Sequence, residues 1–177
     1  KGKSVAEKVH AADPDIILQA AVFEIVTQRV NEIPVPPWLF EEFGLPVAQR
    51  NFRYEAMLYP DGHRVDHWYE GASVPDMSRV ETRMWFVYAT ARYVDAGVEA
   101  IHFGQVAIMD DRDPDHVHWR DMLARCRAYA KKHARRHLLL CDAHVPSGGI
   151  VHGGRLLFDF HSFPLRIEEV ADKPHEG

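Results

Sequence analysis

Apolar positions along the chain switch between two spacings, and the switches mark its elements. Val5 to Ala12 has the spacing of a helix's last turns, stopped by Asp13-Pro14-Asp15. Ile16 to Phe23 is a nearly continuous apolar run, Ile-Ile-Leu-Gln-Ala-Ala-Val-Phe, ending in Glu24. Such a run predicts a strand covered on both faces. A helix is expected from about Arg79 to Asp95, with Ser78 and Glu81 spaced as a capping box and Gly97 as its stop. Val98 to Phe103 predicts the next strand, ending near Gly104-Gln105. Asp113-Pro114 opens a second long helix, His116 to about His137, with Trp119, Met122, Leu123 and Cys126 on one face. Leu138 to Cys141 is a third strand, running into Asp142-Ala143-His144. Leu156 to Phe160 is a fourth, followed by His161-Ser162-Phe163-Pro164. Leu165 to Val170 begins one more helix.

Two stretches interrupt this rhythm. Residues 25–77 are broken by Pro34, Pro36 and Pro37, with a short helix expected from Pro37 to Phe43, closed by Gly44. Within them, Asp61-Gly62 signals a turn between the segments 54–58 and 64–68. The whole stretch reads as a long excursion after the first strand, and long ordered loops often carry function. The connection from Val145 to Arg155, with Gly148-Gly149 and Gly153-Gly154, is too short for a full helix. A hairpin of Ile150-Val151 with Arg155-Leu156 is the alternative there. Strands alternating with long helices predict a single α/β domain over residues 1–177, with mostly parallel strands.

Composition narrows the class. The 177 residues are 46% apolar and 27% charged, ordinary for a soluble globular domain. A net charge of -5 argues against a nucleic-acid binder. The basic run Lys131 to His137 reads as a solvated helix end. Cys126 and Cys141 are expected as buried free thiols. No stretch approaches the roughly 20 apolar residues of a membrane helix. No signal peptide is read. The chain opens at Lys1 in what reads as a helix end, so a truncated start is expected and location is left open.

Each predicted strand ends in groups able to do chemistry. Glu24 follows the first, His102 and Gln105 the second, Asp142-x-His144 the third and Asp159-x-His161 the fourth. In parallel α/β sheets, ligands bind at these carboxyl ends. Residues i and i+2 of a strand share a face, so each Asp-x-His pair can project into one site. Any one of these residues can instead cap a helix or fix a loop; recurrence at four strand ends argues for a site.

Two mechanisms fit. In paired-carboxylate glycoside hydrolysis one acid protonates the leaving oxygen and the other attacks or activates water. Glu24 and Asp159 are the catalytic pair, with His102, Gln105, Asp142, His144 and His161 for substrate hydroxyls and Trp38 and Trp68 as stacking faces. That reading takes no cofactor and a small-molecule or oligosaccharide substrate. The alternative is a metal-dependent hydrolase or isomerase in which Asp142, His144, Asp159 and His161 hold a divalent ion that activates water. Other signals fail: the paired glycines are no phosphate loop, Ser147 and Ser162 lack a nucleophile elbow, and Cys141 lies in an apolar strand.

The order of elements, with Glu24 after one strand and Asp159 after the fourth, resembles the later half of a (β/α)8 barrel of the glycoside hydrolase type. The resemblance implies a partial or irregular (β/α) barrel. Its retaining members carry the acid/base after the fourth strand and the nucleophile after the seventh, positions that Glu24 and Asp159 match. Phe23 stands where those families have Asn, Asp159 stands for their usual Glu, and the helix before the last strand is missing. An unclosed barrel implies self-association or a missing portion. A non-catalytic barrel-derived binding module is the third reading.

Overall fold

The structure is a computed structural model that describes residues 2–145 and 149–161, the last of these by its backbone alone. Helix α1 spans Gly2–Ala12 and leads to strand β1, Gln19–Ala21. The excursion contains β2 (Val26–Thr27), helix α2 (Pro37–Glu42) and β3 (Ala72–Ser73). Helix α3 (Val80–Asp95), β4 (Ala100–Gln105), α4 (Val117–His133) and β5 (Leu140–His144) form the regular part. A small hairpin, β6 (Val151–His152) with β7 (Arg155–Leu156), precedes β8 (Phe160–His161).

Four strands form one parallel sheet in the order β1-β4-β5-β8. The order advances without reversal, so right-handed crossovers leave α3 and α4 on the same face. That face carries Ile101, Phe103, Cys141 and Ala143, all buried. Phe86 of α3 stacks on Phe103 at 6.2 Å, and Trp119 of α4 meets Phe86, Phe103 and Phe158 edge-on. The opposite face carries Gln19, His102, Asp142 and His144, following the period of two along each strand. Among the described residues the sheet is open and no barrel closes. The α/β class and the parallel sheet agree with the expectation.

Several boundaries differ from those expected, each for a local reason. Only three residues of the Ile16 to Phe23 run pair, and Ile16, Ile17 and Phe23 are 40%, 44% and 53% exposed. Among the described residues β1 is an edge strand with one neighbour, not a strand covered on both faces. The expected capping box is absent: α3 starts at Val80 without a side-chain cap, and the Glu81 carboxylate instead takes Arg50 in a two-pronged ion pair. A 3-10 turn occupies Tyr54–Met57, and turns occupy residues 63–66. Helix α4 stops at His133, and Arg135 and Arg136 of the basic run reach back to the fully buried Glu99 at 2.9 and 2.7 Å. The run is therefore half-engaged, not simply solvated. The hairpin alternative is the one observed. It moves the start of the last strand from Leu156 to Phe160. The helix expected from Leu165 lies outside the described residues.

Candidate functional site

Glu24 lies just beyond β1, where the chain turns into the excursion. Its Oε2 accepts the Gln105 backbone N–H at 3.0 Å, and its Oε1 accepts the Gln105 side-chain amide at 2.6 Å. Both oxygens accept, which is the pattern of an ionised carboxylate. Two local features create this clamp. The β4–β5 register shifts between His102 and Gln105, bringing Gln105 opposite His144. Gly104, at φ +67°, leaves the room: a Cβ there lies 1.7 Å from Glu24 Oε2. The excursion adds a third hold. β2 and β3 pair antiparallel, and Trp68 Nε1 donates to the Glu24 carbonyl at 3.2 Å. Trp68 itself stays 40% exposed.

One layer down the strands lies a second polar group. His102 is opposite Ala21 on one side and Asp142 on the other. Asp142 has no exposed surface, yet it accepts Gln19 Nε2 at 2.5 Å and bonds His102 Nδ1 at 2.9 Å. A buried carboxylate needs such donors to offset its desolvation. The His144 ring meets His102 edge-on at 4.6 Å, and Phe23 meets it at 5.9 Å. Gln19, His102, Asp142 and His144 therefore share the sheet face opposite α3 and α4. Gln105 and Glu24 stand at its carboxyl end.

The other expected members lie elsewhere. Asp159 precedes β8 instead of ending it, because the hairpin delays the strand. Its Oδ2 accepts the Cys141 backbone N–H at 2.7 Å and pairs with Arg127 of α4 at 3.1 Å. Cys141 is three residues below His144, or about 10 Å along the strand. Glu24 and Asp159 are also separated by the width of the sheet, since β1 and β8 are its two edges. They do not face each other across one cleft. Trp38 sits on α2 against Tyr129 of α4 at 5.3 Å, beside a cavity of about 540 Å³ also lined by Glu41, Arg125 and Lys132. That cavity is on the outer side of the helices, away from the strand ends. The His161 side chain is not described. The four expected metal ligands are thus not seen as a set, and among the described residues no three His, Cys, Asp or Glu are arranged to hold an ion.

Sequence reasoning passed over Gln19 and Gly104. Gln19 is the lone polar residue inside the first apolar run, a signal that was legible. It also passed over a charged staple between the excursion and the loop after β4. His63 bonds Asp61 at 2.5 Å and Asp111 at 2.9 Å, while Arg64 holds Asp111 and Arg112 holds Asp61. The bond to Asp61, then that to Asp111, raises the His63 pKa above its ordinary 6.5. The His63 bond in turn lowers Asp61 to about 2. Burial raises the Tyr59 hydroxyl, whose ring lies 4.1 Å from His63.

Compared with known proteins, the chain matches no family model and no curated protein. Among the described residues, no helix is long and apolar enough to cross a membrane.

Proposed function

We propose that the chain is a carbohydrate-active hydrolase in which Glu24 supplies the carboxylate that acts at the sugar's anomeric carbon. The observation that carries this reading is the Glu24 clamp: a buried, ionised carboxylate at the carboxyl end of a parallel strand, oriented through both oxygens by Gln105. Holding a carboxylate at a defined angle is what attack on an anomeric carbon, or on the water beside it, requires. The half-exposed Trp68 ring offers a stacking face for a pyranose, and His102, His144 and Gln105 offer donors and acceptors for hydroxyls. Asp159 is not the partner in this reading, since Arg127 and the Cys141 N–H engage it.

The test is hydrolysis of a panel of aryl glycosides by the wild type and by Glu24→Gln. Loss of at least about 100-fold in kcat, with circular dichroism unchanged, is the expected result. A wild type inactive on the whole panel, or a Glu24→Gln variant as active as wild type, overturns the reading. Trp68→Ala is expected to raise KM more than it lowers kcat, because it removes stacking that substrate and transition state share.

A further inference from the structure

Glu24 alone does not complete a glycoside cleavage, because the leaving oxygen must gain a proton. We infer that His102 is the proton-transfer group of this site, with Asp142 and Gln19 as its positioning residues. This inference rests on the functional reading of Glu24 above.

The geometry supports a fixed tautomer. An ionised Asp142 accepts hydrogen bonds only, so the His102 nitrogen 2.9 Å from its Oδ2 is Nδ1–H. In the neutral ring the Nε2 lone pair is then free to take a proton, and in the charged ring Nε2–H is the proton to give. Gln19, one strand further across, donates to the other Asp142 oxygen and fixes that carboxylate in turn. The three residues come from β1, β4 and β5, so three strands hold the arrangement rigid. The His102 side chain is 13% exposed, whereas that of Asp142 is wholly buried. The exposed member is thus the one that can meet a substrate. The His144 ring against its flank limits how far the imidazole can turn.

The chemistry balances in two steps. The Glu24 carboxylate attacks the anomeric carbon and forms a glycosyl ester as the bond to the leaving oxygen breaks. That oxygen takes the proton from His102 Nε2–H and departs as an alcohol. Water then attacks the anomeric carbon, gives its proton to His102 Nε2 and releases the Glu24 carboxylate with the free sugar. One water is consumed, two hydroxyl products form, and both groups return to their starting states. Asp142 keeps its charge throughout, as a group that orients an imidazole and stabilises imidazolium.

Leaving-group dependence tests this step. His102→Gln and Asp142→Asn are compared with wild type on phenyl glycosides, whose leaving oxygen needs a proton, and on dinitrophenyl glycosides, whose leaving oxygen does not. The expected loss in kcat/KM, which reports the first bond-breaking step alone, is about 100-fold or more for phenyl and under about 5-fold for dinitrophenyl substrates. In parallel, nitrogen-15 spectra of the imidazoles report the tautomer. His102 is expected as Nδ1–H in the wild type, and as a tautomer mixture in Asp142→Asn. Equal losses on both substrate classes, or an Nε2–H tautomer in the wild type, overturn the inference. Should Asp159→Asn alone show the leaving-group pattern, the proton donor is Asp159 and the inference is wrong. A wild type that cleaves neither class overturns the functional reading itself, which separates the two failures. Variants that lose their dispersed amide spectrum are replaced in the comparison by Gln19→Ala. That change leaves His102 and Asp142 in place and is expected to give a smaller loss of the same pattern. A Gln19→Ala loss equal on both substrate classes also overturns the inference.

Discussion

At the scale of single residues, the site depends on a glycine. Gly104 has φ +67°, and any Cβ there meets Glu24 Oε2 at 1.7 Å. Two penalties therefore combine in Gly104→Ala. The left-handed backbone costs a non-glycine residue about 1 kcal/mol, and displacing the carboxylate breaks charge-assisted hydrogen bonds worth about 2 kcal/mol each. Urea denaturation is expected to show at least about 2 kcal/mol of destabilisation. Gly153 is the control: φ is +57° there too, but nothing lies within 4 Å of its Cβ position. Gly153→Ala should therefore show only the backbone term, about 1 kcal/mol. Equal effects at the two positions would mean that Glu24 is not clamped. Little of this was legible beforehand. Gly104 beside Gln105 reads as an ordinary strand end, because a close approach between residues 81 apart leaves no local mark. Glu24, at the end of an unmistakable apolar run, was legible as a strand-end carboxylate. Its partner was not.

Among the elements, the excursion is held to the sheet by the His63 staple, and this contact makes a pH prediction. The folded His63 pKa lies above 6.5. Its contribution to stability is therefore complete below 6.5 and is lost as pH rises through the folded value. The folded Asp61 pKa lies near 2, against an ordinary 3.8. Its contribution is complete above 3.8 and is lost as pH falls toward 2. The staple is thus complete between 3.8 and 6.5. Wild-type stability from urea titrations should fall as pH rises above 6.5, and His63→Ala should show less of that fall. Equal slopes in both proteins would remove His63 from the account. Element order was the most legible layer of the sequence, since α3, α4, β4 and β5 follow strong periodic runs. Boundaries were less so. β8 shifted because a hairpin of two short strands carries almost no hydrophobic period, and Asp159 moved with it. That one displacement removed the carboxylate pair, because a strand-end argument works only when the strand's end is correct. The capping box failed for a different reason: Arg50, 31 residues away, competes for Glu81 and forms the stronger bond.

At the scale of the whole molecule, the sheet has two unlike faces, and the helix-covered one contains both cysteines. Cys141 lies in a central strand and Cys126 on the α4 face packed against it; neither has exposed surface. Burial pushes the Cys126 thiol up to about 12 and raises Cys141 as well. Thiolates are the reactive form, so each thiol is protected both by access and by protonation. Neither group can be reached by fraying an edge, because each is enclosed by α3, α4 and the middle of the sheet. Both thiols should therefore stay unmodified by a water-soluble disulfide reagent in native buffer. In a urea series they should become reactive together, with the same midpoint as the loss of helical circular dichroism. Peptide mapping after a reagent pulse separates the two sites. The polar face gives the contrast that makes this informative. His102, on that face and 13% exposed, should react with an imidazole reagent in native buffer, while the cysteines remain silent. If Cys141 reacted well before Cys126, the sheet would be opening at β5 apart from its helices. The rigid three-strand support inferred for His102 would then fail with it, since β5 carries Asp142.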